Sequence, residues 1–123
     1  MSSFLLVGLG GAIGAMSRHG ANIAIGSHGF PVATFLVNIA GSVAMGLLIG
    51  YLARTTPQYQ QEIRLFLAIG VFGGFTTFSS FSLDTITLME RGDYLLTFTY
   101  VAGSVLLAVG GLMMGLWAMR VLA

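Results

Sequence analysis

The sequence predicts an all-α membrane protein of four transmembrane helices, the third of them broken. Of its 123 residues, 56% are hydrophobic and only 7% are charged. A soluble domain of ordinary composition carries about 25% charged residues, so this chain lacks the charge needed to cover a water-facing surface. The few charged residues also divide the chain into long uncharged runs, and a transmembrane helix needs about 20 such residues.

The predicted spans follow from those runs, which are residues 1–17, 19–53, 65–83 and 94–119. The second run is too long for one straight helix, and we divide it at Gly26-Ser27-His28-Gly29 and Pro31, a turn sequence. Four spans result, at about residues 3–25, 32–53, 63–89 and 95–121. We expect one domain over residues 1–123. No Lys or Arg precedes Arg18, which argues against a signal peptide, and we expect the first helix to stay in the mature protein.

The same composition excludes several classes of function. The formal net charge is only +1, so the chain lacks the basic face of a nucleic-acid binder. It has no cysteine, which excludes disulfides, thiolate zinc sites and thiol nucleophiles. No phosphate-binding loop, nucleophile–base pair or carboxylate pair is evident, and we therefore expect no enzyme.

The arginines are divided almost evenly between the two sides of the membrane. Four spans place Arg54, Arg64 and Arg120 with the termini on one side, and Arg91 and Arg18 on the other. The positive-inside rule orients a membrane protein by a clear excess of positive residues on one side. Three arginines on one side against two on the other is almost no excess. Either the assignment is weak or the protein inserts both ways round, which would permit an antiparallel dimer of identical chains. Because four helices can hardly enclose a polar pathway, we expect oligomerisation.

Small residues recur at four-residue spacing in all four spans. They are Gly10 and Gly14, then Ser42, Gly46 and Gly50, then Gly70 and Gly74, and finally Gly111 and Gly115. This spacing lets helix backbones approach closely in lipid. Such contacts serve either oligomerisation or packing within one chain, and the sequence does not separate the two.

Residues 70–82 form the most informative stretch and read Gly-Val-Phe-Gly-Gly-Phe-Thr-Thr-Phe-Ser-Ser-Phe-Ser. Three glycines and five hydroxyl side chains are poor material for the middle of a helix. We therefore expect a break, which membrane depth tolerates only where the backbone is buried in protein or lines a cavity. Carbonyls freed by a break are suitable ligands for an alkali cation. The alternative is a flexible kink whose Ser and Thr side chains bond back to their own helix.

Two phenylalanines and an amide are the candidates for an ion pathway. Phe78 and Phe81 are three residues apart and share one helical face, which Asp84 continues. The edge of an aromatic ring is positive and can face a small anion, although such rings are more often packing material. Asn38 lies near the middle of the second span, where a polar amide costs free energy unless it has hydrogen-bond partners or a function. A helix–helix hydrogen bond is its structural alternative.

The first and fourth spans contain polar residues whose roles are less clear from the sequence. Ser104 and Tyr100 are one turn apart in the fourth. Arg18 is the only basic residue well inside a span, where it either snorkels to the interface or holds a cluster of carbonyls. We interpret His19 and His28 as residues of the membrane interface.

These residues together resemble a known family. Gly-Gly-Phe-Thr-Thr-Phe-Ser-Ser-Phe-Ser at 73–82 is similar to the signature of the CrcB/Fluc fluoride channels. Thr34 with Val-Asn-Ile-Ala-Gly at 37–41 resembles that family's second helix. Gly-Gly-Ala-Ile-Gly-Ala at 10–15, leading to Arg18, resembles its first. Length, span count and near-balanced charge fit along the whole chain.

The resemblance implies a fluoride-selective channel assembled as a dual-topology, antiparallel homodimer with two pores. It implies a multi-pass protein, surrounded by lipid, of the bacterial inner membrane, which exports fluoride passively from the cytoplasm and lowers its toxicity. It also implies a structural sodium ion (Na+), not transported, at the dimer centre on the backbone carbonyls of Gly73 and Thr76. Arg18 and Asp84 take structural or entryway roles. The implied fluoride pathway comprises Asn38, Phe78, Phe81, Ser104, Thr77, Ser80 and Tyr100.

Two positions depart from the family pattern, and two other functions compete. Relatives can carry a further hydroxyl where this chain has Ala108, and a glutamate can occur in place of Asp84. A small dual-topology, proton-coupled cation or drug antiporter would need a carboxylate at the midplane. The first, second and fourth spans have none, and Asp84 is off-centre in the third. A non-transporting assembly subunit would explain the small-residue pairs but not the hydroxyl-rich break.

Overall fold

Helices account for nearly all of the protein that the computed structural model describes, residues 2–26 and 29–122. Ser27 and His28, assigned above to a turn and to the interface, lie outside the described residues. The helices are α1 (Ser3–Ile25), α2 (Val32–Thr55), α3 (residues 60–75), α4 (Phe78–Glu90) and α5 (Tyr94–Leu122). Their bounds agree with the predicted segments to within a few residues, and α3 with α4 forms the predicted broken third segment.

Side-chain caps and turn residues fix the helix ends. The hydroxyl of Ser2 accepts a hydrogen bond from Leu5 N at 3.2 Å and so caps α1, which satisfies one of the amides left free at a helix start. Between α4 and α5 the chain turns at Gly92, whose φ of 79° is readily adopted by glycine. The connection between α4 and α5 is therefore short.

Three helical segments are long and apolar enough to cross a membrane within the described part of the chain. They are Val32–Thr55, Gln60–Glu90, which contains the break, and Tyr94–Leu122. Large apolar side chains such as Met114 and Trp117 point outward, as expected for helices surrounded by lipid. The helix predicted at 3–25 is present as α1, but it carries the polar residues Ser17, Arg18 and His19, and its crossing of the membrane stays a prediction.

Alternate helices pack side by side, α1 with α3 and α2 with α5, and glycine permits both contacts. A β-carbon at Gly14 would overlap the carbonyl oxygen of Val71, and one at Gly46 would overlap that of Leu112. Gly70 lies against Gly10 in the same way. The glycines of all four spaced sets meet their own chain. Packing within one chain therefore explains them, and they give no support to oligomerisation.

The first part of the third segment is wound more widely than an α-helix. Residues Arg64–Phe72 are π-helical, and the amide of Gly73 at their end donates to Ala68 O, five residues back. A π-helical turn is rare and usually occurs as a single turn inside an α-helix, often near a functional site. Here it leads directly into the break.

Candidate functional site

The helix break lies at Thr76 and Thr77. Both residues are extended, with φ/ψ of −85°/157° and −152°/118°, between the end of α3 and the start of α4. The structure confirms the predicted break but places it after the glycines. Gly73 and Gly74 remain helical, and Gly74 serves instead to let α3 approach Gly11 of α1.

The side chain of Asn38 clamps this break from the neighbouring helix. The amide of Thr77 donates to Asn38 Oδ1 at 2.8 Å, and Asn38 Nδ2 donates to Thr77 O at 3.1 Å. One amide side chain therefore satisfies both backbone groups of an extended residue. Because an asparagine NH₂ carries two donors, one N–H of Asn38 remains for another acceptor.

Four carbonyls lose their helical amide donors at the break, those of Gly73, Gly74, Phe75 and Thr76. A continuous helix would direct Thr77 N to Gly73 O and Ser80 N to Thr76 O. Instead, Thr77 N donates to Asn38, and Ser80 N donates to Thr77 Oγ1 at 3.1 Å, which caps α4. Two of the four, the carbonyls of Gly73 and Thr76, are released because their amide donors bond elsewhere.

Arg18 reaches the same break from α1. Its Nε donates to Gly74 O at 3.2 Å, and the side chain is only partly buried. Of the two roles left open for this arginine, the contact matches a residue that holds a backbone carbonyl.

Several hydroxyls of the motif serve the backbone. Thr76 Oγ1 donates to Phe72 O at 2.9 Å, and Ser82 Oγ donates to Phe78 O at 3.0 Å. Thr77 Oγ1 accepts the capping bond from Ser80 N. The back-bonding expected of a simple kink therefore does occur, together with a true break of the helix.

A cavity of about 300 Å³ opens beside the break. We call it the break cavity. It contains no charged side chain from the described residues, and its lining comes from α2, α4, α5 and the break itself. Among the predicted site residues it is lined by Asn38, Thr76, Thr77, Phe78, Phe81 and Ser104.

Ser104 lines this cavity and carries a buried hydroxyl without a hydrogen-bond partner among the described residues. The residue is 6% exposed, and its Oγ makes no hydrogen bond with any part of the chain that the structure describes. A buried hydroxyl without a partner costs free energy, so an unpaired one calls for an explanation. An acceptor inside the cavity would supply one.

The aromatic rings lead away from the cavity in a row. The centroids of Phe78 and Phe81 are 5.6 Å apart, and those of Phe81 and Tyr100 are 5.2 Å apart. Tyr100 is fully buried and donates from its hydroxyl to Asp84 Oδ2 at 3.0 Å. Phe78, in contrast, is 79% exposed.

Asp84, Tyr100 and Ser80 do not line the break cavity. Asp84 instead lines a second cavity of about 220 Å³, together with Thr34 and Asn22, and Tyr100 lies between the two cavities. Ser42, which was placed above only among the spaced small residues, also lines the break cavity, one helical turn after Asn38. Its four-residue spacing from Asn38 is the signal that could have identified it.

The break offers backbone oxygens as candidate ligands for a cation. No group of three His, Asp or Glu side chains suited to a metal occurs among residues 2–26 and 29–122. A bound cation would therefore use backbone oxygens, and the carbonyls of Gly73 and Thr76 are neutral, hard ligands of the type that sodium accepts.

Comparison with known proteins identifies the family. The sequence model of the family described as "CrcB-like protein, Camphor Resistance (CrcB)" matches residues 5–116. The chain belongs to the CrcB family. A CrcB-family relative from Hyphomonas neptunium, named "Fluoride-specific ion channel FluC", is 54% identical over 98% of this chain and 97% of its own length.

Two further relatives agree. "Fluoride-specific ion channel FluC 2" of Nitrobacter hamburgensis is 52% identical over 96% of this chain and 97% of its own. The FluC channel of Rhodopseudomonas palustris is 49% identical over the same shares, 96% and 97%. The names of these relatives denote an ion channel and not an enzyme. They confirm the prediction that this protein is not an enzyme. With three apolar helices of spanning length, the chain is a multi-pass membrane protein.

Proposed function

We propose that this CrcB-family chain is a fluoride-selective channel of the bacterial inner membrane, through which fluoride leaves the cytoplasm passively and its toxicity falls. The observation that carries the proposal is the break cavity. There the unbonded hydroxyl of Ser104 shares one uncharged space with Asn38 and with the rings of Phe78 and Phe81. The names of the relatives support fluoride as the ion.

The chemistry of the cavity suits a small anion in transit. Fluoride is strongly hydrated, so a pore must replace its water with hydrogen-bond donors. Conduction requires binding that is favourable enough for entry and weak enough for exit. Ser104 and Asn38 donate without a fixed positive charge, and the ring edges of Phe78 and Phe81 add a weaker attraction. Chloride is larger and would fit such donors less well.

The direct test is fluoride efflux from proteoliposomes, measured with a fluoride electrode. Valinomycin supplies the compensating potassium current, and chloride-loaded vesicles measure selectivity. We expect rapid fluoride efflux that exceeds chloride efflux and needs no proton gradient. Efflux that occurs only under a proton gradient would favour the antiporter, and absence of fluoride efflux from folded protein would refute the proposal.

Pore formation is proposed to require a second copy in the opposite orientation. Phe78 is 79% exposed although it lines the break cavity, so a single chain leaves this wall incomplete. The near-balanced arginines support insertion in both orientations. A reporter at the C-terminus that is active on only one side of the membrane should give signal in both of its formats. A signal confined to one orientation would contradict the antiparallel dimer.

A structural sodium ion is proposed at the centre of that dimer. The carbonyls of Gly73 and Thr76 lack the amide donors of a continuous helix, and two copies would supply four neutral oxygens. Full replacement of sodium by a large organic cation should reduce fluoride flux and dimer stability, while Thr76→Val should retain the ion because the ligand is backbone. Unchanged flux and unchanged dimer stability without sodium would exclude this role.

A further inference from the structure

Ser42 lies level with the apolar end of the break cavity. Helices α2 and α5 run in the same direction, since Gly103 lies against the ring of Phe35, Gly46 lies against Leu112, and Arg54 Nη1 donates to Arg120 O at 2.7 Å. These three contacts fix the relative height of the two helices.

In this alignment of α2 with α5, Ser42 lies at the height of Ala108 and Val109. All three residues line the break cavity. Helix α5 has no serine or threonine after Ser104. Its wall of the cavity from that point on is therefore apolar, and α2 supplies the hydroxyl at this height.

The hydroxyl of Ser42 is not used by its own helix. Seven other hydroxyls donate to the carbonyl four residues before them, those of Ser17, Thr55, Thr76, Ser82, Thr85, Thr87 and Thr97. Ser42 and Ser104 are not among them. Both line the break cavity, where a solute can accept their hydrogen bonds.

We infer that Ser42 is a further fluoride-contacting residue, which donates to the ion beyond Ser104 where α5 provides no donor. The inference rests on the proposed channel function. Asn38 and Ser42 lie four residues apart on one face of α2. The ion would thus pass from the Asn38 amide and Ser104 hydroxyl to the Ser42 hydroxyl without crossing a wholly apolar section.

The test moves the hydroxyl across the cavity. Ser42→Ala removes it, Ser42→Thr keeps it on α2, and Ser42→Ala combined with Ala108→Ser supplies one from α5 at the same height. Ser17→Ala is the matched control, because Ser17 is exposed and donates to Ile13 O. Flux is measured per folded dimer, with the dimer quantified by size exclusion on the same sample.

We expect Ser42→Ala to lower fluoride flux about tenfold, as loss of one hydrogen bond to a charged group implies. Ser42→Thr or the double variant should recover most of the flux, and Ser17→Ala should leave it unchanged. Wild-type flux in Ser42→Ala, or no gain in either hydroxyl-bearing variant, would overturn the inference while leaving the channel function intact. Absence of flux in the wild type would instead refute the channel function itself.

Discussion

The contact between Asn38 and Thr77 makes a quantitative prediction about the helix break. Replacing Asn38 by leucine keeps the approximate size of the side chain but removes the partners of Thr77 N and Thr77 O. A fully buried backbone group left without a partner costs about 1–3 kcal/mol, and these two groups are only partly buried, so about 2–6 kcal/mol of unfolding free energy is the upper bound for the pair. The lower end is favoured, because helix–helix hydrogen bonds in membranes average only about 0.6 kcal/mol.

Asparagine-to-aspartate replacement separates the two bonds. Asn38→Asp keeps an oxygen that accepts from Thr77 N but loses the N–H donors, so its expected cost is roughly half that of leucine, about 1–3 kcal/mol. Both variants should abolish fluoride flux. Leucine removes every donor that Asn38 offers the ion, and an ionised aspartate would repel the anion.

Unfolding by SDS in mixed micelles measures these costs, followed by the fluorescence of the single tryptophan, Trp117. Gln61→Leu is the matched amide-to-leucine control, since Gln61 is exposed at the start of α3. Flux is measured on the same preparations. An Asn38→Leu variant as stable as the wild type would show that the clamp does not hold the break. Normal flux through Asn38→Asp would remove Asn38 from the pathway.

Three further predictions follow from the same geometry. Phe78→Ile or Phe81→Ile should lower fluoride flux per folded dimer by about an order of magnitude, equivalent to about 1.4 kcal/mol of ion stabilisation, and near-normal flux in both would reject the aromatic pathway. Gly46→Ala should cost about 1–3 kcal/mol by overpacking, whereas Gly110→Ala, which meets open space, should cost little; equal SDS midpoints would contradict this packing. Arg18→Gln should weaken the dimer by loosening the carbonyl that it holds, and unchanged dimer dissociation would leave Arg18 without that role.

Much of the fold could be predicted because the residues that end its helices are recognisable from the local sequence. Charged residues and turn residues such as Gly92 mark the helix ends, and the hydroxyl-rich stretch signals the break. The exact site of the break could not be predicted, because it depends on Asn38, which lies 39 residues away along the chain. The π-helical winding of Arg64–Phe72 was also missed, since its apolar sequence suits an α-helix equally well.

The sequence predicted which residues belong to the candidate site better than it predicted how their side chains are arranged. Asn38, Phe78, Phe81 and Ser104 do share one cavity. The spacing of Phe81 and Asp84 suggested that the acid continues the same face, but Tyr100 fills the space between them and Asp84 opens to another cavity. Spacing along one helix cannot show a side chain that enters from a different helix.

The wide winding of Arg64–Phe72 has a consequence for how the gene can change. A π-helical turn holds one residue more than an α-helical turn, so deleting one residue here would leave a chain able to form a regular α-helix. The residue removed is the extra one, so the residues after it would keep nearly the same rotation around the axis, whereas one inserted residue would turn them by about 100°. An insertion would therefore separate Gly74 from Gly11 and Thr77 from Asn38, and a deletion would leave both contacts in place. The middle of this span should accept the loss of one residue better than the gain of one.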